Sequence, residues 1–199
     1  MDIGLEGSIE KVAFRTSVFY RHMKDYITIA ATNLPKRLPL SPNTVFQYRN
    51  GDADFWGLEV DGSVALTRAI SLTGGISYLH GEDEAQGEPA IGVSPLQLNA
   101  GLRIDDSRFF GELGLLTVAE QDRVASSRGE QPTSGYTTLD AMVGLRPISQ
   151  VEIRAGVRNL ADEAYANHLN AKNPFAGGAR VPEPGRTFYG AISIGLTAR

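Results

Sequence analysis

Three histidines and one methionine are the side chains best suited to take hold of something. His22 stands beside Met23, His80 follows the run Tyr78-Leu79, and His168 sits in the segment Ala166-Asn167-His168-Leu169. Imidazole and thioether donors favour borderline and soft metal ions, so these four positions are candidate ligands for metal or chelate capture. The run Glu82-Asp83-Glu84 offers carboxylates to a cation such as Ca²⁺, although a charge run in a loop is more simply a solvated one. Bond-making chemistry has no comparable foothold. The sequence holds no nucleophile elbow, no phosphate-cradling glycine loop and no pair of histidines at helical ligand spacing, and nothing marks Asp140 or Glu152 as a hydrolase pair over their neighbours. The chain reads as a binding or transport protein and not as an enzyme, with no resident cofactor expected.

Alternating strands must position these residues. Leu96, Leu98, Ala100, Leu102 and Ile104 are apolar, whereas Gln97, Asn99, Gly101 and Arg103 between them suit water. The same period of two runs through Ile3, Leu5, Gly7 and Ile9, through Val151, Ile153, Ala155 and Val157, and through Phe188, Gly190, Ile192 and Ile194. Nine strands are expected, at about 2 to 10, 12 to 29, 44 to 67, 70 to 80, 95 to 104, 108 to 118, 136 to 146, 150 to 159 and 186 to 197. Tight joins near Glu10 and Lys11, Thr67 to Ala69, Asp105 to Ser107 and Pro147 to Ser149 alternate with long joins at roughly 30 to 43, 81 to 94, 119 to 135 and 160 to 185. Strict alternation puts every long connection at one end of an antiparallel sheet.

The polar faces carry both charge signs, which a dry interior would penalise by several kcal/mol per unpaired ion. A hydrated interior removes that cost. The expected fold is therefore all-β: an antiparallel transmembrane β-barrel, apolar outside and wet inside. Tyr20, Trp56, Tyr78 and Phe188 fall on the apolar face at one expected level, as a girdle of interfacial rings would, with Phe109 placed for a lower girdle. The rival architecture is a soluble β-sandwich binding module, which also alternates. Composition, with 42% hydrophobic residues and a net charge of -4, does not separate the two, but the absence of a clustered basic stripe argues against nucleic acid as a partner. No apolar run is long enough for a spanning helix, and no cysteine is present, so thiolate and disulfide chemistry drop out. Met1 is followed by Asp2 and Gly4 without a basic and then apolar leader, so an exported chain is expected to be a piece whose start is missing.

Specific motifs sharpen the expectation. The stretch Val157-Arg158-Asn159-Leu160-Ala161-Asp162-Glu163-Ala164-Tyr165, followed by a long loop and Pro184-Gly185-Arg186-Thr187-Phe188-Tyr189, resembles the C-terminal end of TonB-dependent outer-membrane receptors. In that family an Asn-Leu-x-Asp-x-x-Tyr element leaves the penultimate strand and a Pro-Gly-Arg element starts the last one. Phe55-Trp56-Gly57-Leu58-Glu59 resembles the family's aromatic-Gly-x-Glu strand, whose glutamate points into the lumen. The resemblance implies that residues 1–199 are the C-terminal part, about nine strands, of a barrel of about twenty-two, with the plug domain and earlier strands outside this chain. It implies an energy-coupled importer of a metal chelate, such as a ferric siderophore, in the bacterial outer membrane. The implied partners are membrane lipid, the N-terminal plug, TonB through the region not present here, and the chelate. His22 beside Met23, together with His168 in the segment Ala166-Asn167-His168-Leu169, resembles the branch associated with copper. A passive porin-type barrel is a further alternative.

The resemblance and the parity together assign roles. Asn159 and Asp162, with Leu160 and Tyr165, shape the turn out of the strand, and Pro184, Gly185 and Arg186 the return, the Arg186 fork bracing loop groups. Glu59, Asp61, Arg15, Arg103, Glu112, Arg146, Arg154 and Arg158 face the lumen and would meet the plug. One departure is the ending Leu196-Thr197-Ala198-Arg199, where the family usually closes on an aromatic residue.

Overall fold

A computed structural model describes residues 1–40, 44–172 and 179–195. Its strands are β1 (Asp2–Ile9), β2 (Val12–Thr32), β3 (Val45–Ala65), β4 (Ile70–Asp83), β5 (Glu88–Pro89), β6 (Gln97–Asp105), β7 (Phe109–Val118), β8 (Tyr136–Ile148), β9 (Val151–Arg158) and β10 (Thr187–Ile194), with one 3-10 turn at Ser126–Arg128. The nine long strands are those expected, and the two-residue β5 is an addition inside a long connection. All pair antiparallel with their neighbours in one sheet of order β1-β2-β3-β4-β6-β7-β8-β9-β10, in which β5 pairs β4 and β1 and β10 are the two edges. The ending 196–199 and the segment 173–178 lie outside the described residues, and with them the departure noted at the last four positions.

Register fixes which side chains share a face. Glu6 faces Arg15, Arg15 faces Asp61, and Asp61 faces Gly75, which in turn lies opposite Asn99. The row beside it reads Leu5, Thr16, Val60, Ile76, Leu98 and Thr117. Because a strand's period is two, every strand below the long connections keeps its polar set on the first face and its apolar set on the second.

The apolar face is uncovered. Ile3 and Leu5 are each 60% exposed, Ile192 is 68% exposed and Phe188 is 76% exposed, whereas the buried apolar side chains (Ala30, Ala53, Ala90, Val93, Phe110, Val118, Ala125 and Tyr136) lie elsewhere. Among the described residues no second sheet packs on this surface, so the sandwich architecture fails. Trp56 sits against Tyr78 at 5.2 Å and stacks on His80 at 5.1 Å, and Tyr20 is its register partner on β2, making a contiguous aromatic patch on the apolar side. Phe188 is on the same face but at the far end of the sheet, on β10.

β2 and β3 are each 21 residues long, about twice the nine to eleven that cross a hydrocarbon layer. Their excess projects past the long-connection end. A bulge between Met23 and Tyr26, where Asp25 takes a φ of 53°, re-aims this projecting hairpin, so that Thr28 and Ala30 become buried.

Candidate functional site

Two arrangements could do work: the charged polar face of the sheet and a layer of long connections over its end. On the polar face Arg103 binds Asp105 at 2.6 Å and Glu112 at 3.3 Å, while Arg146 binds Asp105 at 2.7 Å and Glu152 at 3.4 Å. Arg146 also lies 4.4 Å from the Phe110 ring centroid. Arg15 pairs with Glu6 at 3.1 Å, and Arg158 lies over the Tyr189 ring at 5.4 Å. These groups are exposed or half-exposed, so each pair contributes little to stability and the array chiefly fixes a pattern of charge. Glu59 and Arg154 share the same face, at register positions opposite Ser17 and Ala191. Gly57, two residues before Glu59, is small for a reason: a Cβ there would come within 2.5 Å of the Phe19 ring and 2.9 Å of the Tyr78 carbonyl oxygen.

The corner made by the last long connection is built from the motif residues. Asn159 and Asp162 both adopt left-handed backbone, with φ of 51° and 59°. Asn159 Oδ1 accepts from the Glu163 N–H at 2.8 Å, its Nδ2 donates to the Glu163 carbonyl at 2.8 Å, and its own N–H donates to Asp140 Oδ1 at 2.9 Å. Asp162 Oδ1 accepts the backbone N–H of Arg186 at 2.7 Å, tying the exit of β9 to the entry of β10. It is thus the main chain of Arg186 that is held, at the Gly185–Arg186 turn, while its side chain is exposed. Tyr165 packs on Tyr136 at 4.1 Å between centroids, and the Leu160 N–H donates to the Leu139 carbonyl at 2.7 Å. Beneath this corner lies a recess of about 530 Å³ lined by Glu112, Asp140, Arg158, Tyr165, Glu183 and Pro184, among others.

The layer above the sheet has two buried hubs. Arg128 and Asp83 have fully buried side chains and meet at 2.6 Å; Arg128 also donates to Thr28 Oγ1 at 2.8 Å and to the Pro89 carbonyl at 2.5 Å. One guanidinium so joins the projecting hairpin, the end of β4 and two long connections. The reading of Glu82-Asp83-Glu84 as a solvated run is corrected here. Asp83 is 1% exposed, because strand alternation turns the middle of the three inward while Glu82 and Glu84 face out.

Glu130 is the second hub. Its carboxylate accepts from the Gly92 and Ala125 N–H groups, both at 2.8 Å, and from His168 Nε2 at 3.1 Å. With Nε2–H committed to the carboxylate, His168 Nδ1 is left to accept from the Thr133 hydroxyl at 2.9 Å. Burial favours the neutral imidazole and the nearby Arg180 and Lys172 add to that, so the pKa of His168 falls below its ordinary 6.5 despite the attraction of Glu130. For Glu130 burial pulls upward, but the two backbone N–H donors and His168 outweigh it and hold the carboxyl below its ordinary 4.5. Both signs point the same way. A lowered histidine destabilises as pH falls below 6.5, and a lowered glutamate gives up its contribution as pH falls through its folded value. Exchange of the Gly92 and Ala125 amides, corrected for intrinsic rates, is expected to quicken between pH 7.5 and 5, and H168Q, a neutral donor, to flatten that rise. Protection unchanged over this range would contradict the assignment.

The four candidate metal ligands do not converge. His22 and Met23 are adjacent in β2 and point to opposite faces, Met23 lying across from Ala53 and His22 from Asp54. His80 is occupied by the Trp56 stack and by Arg123, which also pairs with Glu82. His168 is inside the Glu130 hub. Among the described residues the ligand-type atoms within 4.8 Å of one another belong to His22, Asp54 and Glu84. Sequence reasoning did not join these three, because a long connection links β2 to β3 and no tight turn sets the register that puts Asp54 opposite His22.

The fold agrees with comparisons to known proteins. A family profile described as TonB dependent receptor-like, beta-barrel matches residues 1–160. The chain belongs to that family. Similar solved structures include the copper transporter OprC, with 24% identity and a TM-score of 0.87 over 97% of this chain and 30% of that one. The ferric enterobactin receptor PfeA from Pseudomonas aeruginosa, at 18% identity and TM-score 0.71, is covered to the same 30%. The ferric yersiniabactin uptake receptor FyuA from Yersinia pestis, at 19% identity and TM-score 0.71, is covered to 29%. No relative matched among curated proteins. The chain thus spans about 30% of the length of the structures it resembles, and the fold is what this likeness establishes.

Proposed function

We propose that this chain forms part of the wall of an energy-coupled receptor in the bacterial outer membrane that takes up a metal chelate, either a ferric siderophore or copper. The observation that carries the reading is a single antiparallel sheet with one uncovered apolar face and one mixed-charge polar face, in a chain of the TonB-dependent receptor family. Lipid covers the first face and water the second. Arg15, Glu59, Asp61, Arg154 and Arg158, with the Arg103, Glu112 and Arg146 array, meet a plug domain contributed by sequence beyond these residues, and TonB engages that same part of the protein. The long connections form the outward layer that a ligand meets first. The protein binds and passes its ligand without making or breaking bonds in it.

The test is uptake by the full-length protein. Cells that depend on it for ferric siderophore or copper are expected to accumulate the labelled metal only while the TonB system is intact. Accumulation independent of TonB would mark a passive pore. A full-length product that stays a water-soluble monomer would end the transport reading.

A further inference from the structure

His22 and Asp54 face each other across β2 and β3 on the apolar-facing side of the sheet, one step beyond the row Tyr20, Trp56 and His80. His22 Nδ1 lies 3.0 Å from Asp54 Oδ1, and its Nε2 lies 3.9 Å from Asp52 Oδ2. Glu84 joins from the residue just after β4, where its N–H donates to the Asp52 carbonyl at 2.9 Å and so extends the ladder. One ligand atom from each of His22, Asp54 and Glu84 falls within a 4.8 Å circle. The Asp54 and Glu84 carboxylates are thereby brought close to each other, a juxtaposition of two acids that water alone does not favour.

Neighbouring acids are treated differently. Glu82 has Arg123 and Asp83 has Arg128. Among the described residues no lysine or arginine pairs with Asp52, Asp54 or Glu84, although the imidazole stands among all three. The acids beside this group have cations built for them, and this group has a nitrogen donor in that place.

We propose that His22, Asp54 and Glu84 bind one divalent transition-metal ion of the Zn²⁺ or Cu²⁺ class on the outward rim, with Asp52 within reach as a further oxygen donor. The mixed nitrogen and oxygen set selects such an ion over Ca²⁺, which takes oxygen ligands alone. The Tyr20 hydroxyl, donating to Asp54 Oδ1 at 2.7 Å, orients that carboxylate as an outer-shell partner does. The ion would fasten β2 and β3 to the end of β4 where the projecting hairpin leaves the sheet. Its ligands point away from the polar face, so this site is separate from any path through the barrel and does not rest on the uptake reading.

The experiment uses the full-length receptor in detergent micelles, stripped with chelator and titrated with Zn²⁺, then with Cu²⁺ for paramagnetic resonance. The wild type is expected to show a Cu²⁺ signal with nitrogen coupling that disappears in H22A, and a Zn²⁺ site weakened about tenfold or more in H22A and E84Q. Glu84 lies beyond the end of β4, so E84Q keeps the sheet, as an unchanged heat-dependent gel shift would verify. M23A is expected to bind as the wild type does. Equal Zn²⁺ stoichiometry and affinity in wild type, H22A and E84Q, or a Cu²⁺ signal indifferent to H22A, would overturn the proposal.

Discussion

Replacing Arg128 with methionine is expected to destabilise the layer of long connections by about 3–5 kcal/mol, the cost of leaving one partner of a buried pair without the other. Both side chains of the Arg128–Asp83 pair are fully buried. Removing the guanidinium strands the Asp83 carboxylate and withdraws the donors that now reach Thr28 Oγ1 and the Pro89 carbonyl. The Arg128 Nε has no hydrogen-bond partner, so the wild-type pair is not ideal and the loss lies towards the lower part of that range. Proteolysis and hydrogen exchange should report the change at residues 84–96 and 119–135 while the β6 to β9 ladder stays protected. The double variant R128M/D83L is expected to recover much of the loss, because two apolar groups of similar volume leave no orphaned charge. Equal protection in R128M and wild type would mean that this pair does not hold the layer together.

Arginine in place of Leu113 is the second large effect. Leu113 lies mid-strand in β7 on the apolar face, opposite Leu102 and Ala141, and is 45% exposed with no protein over it. If hydrocarbon covers it, a guanidinium there costs about 2–4 kcal/mol of folding free energy. Asn99→Arg puts the same charge on the polar face, next to a wet interior, and is expected to change stability by only about 0.5 kcal/mol. Denaturant titration of the full-length protein folded into lipid vesicles gives both numbers. Similar costs for L113R and N99R would contradict the assignment of the faces.

The strands were legible in the sequence because alternation is local: Leu98, Ala100, Leu102 and Ile104 announce their face without reference to any other strand. The tight turns were legible for the same reason, and short joins fixed the antiparallel order. The hubs were not. Arg128 meets Thr28 across 100 positions and Glu130 meets His168 across 38, and no period or turn signal carries such pairings. Asp83 looked solvated because its run is acidic, when alternation alone turns the central residue of three away from its neighbours. The same rule separates His22 from Met23, since adjacent residues of a strand cannot share a ligand held on one face. What joins His22 to Asp54 is the β2–β3 register, which no tight turn sets because a long connection links the two strands, and Glu84 follows from the β3–β4 pairing.

The assignment of the two faces is tested most directly by single cysteines placed in turn at positions 97 to 104 of β6, within 199 residues that hold no cysteine, any cysteine elsewhere in the full-length protein being replaced by serine. In the full-length protein in lipid vesicles, positions 97, 99, 101 and 103 should react with a water-soluble thiol reagent, and positions 98, 100, 102 and 104 only with a lipid-soluble one. A pattern without that alternation, or with the two sets exchanged, would contradict the account.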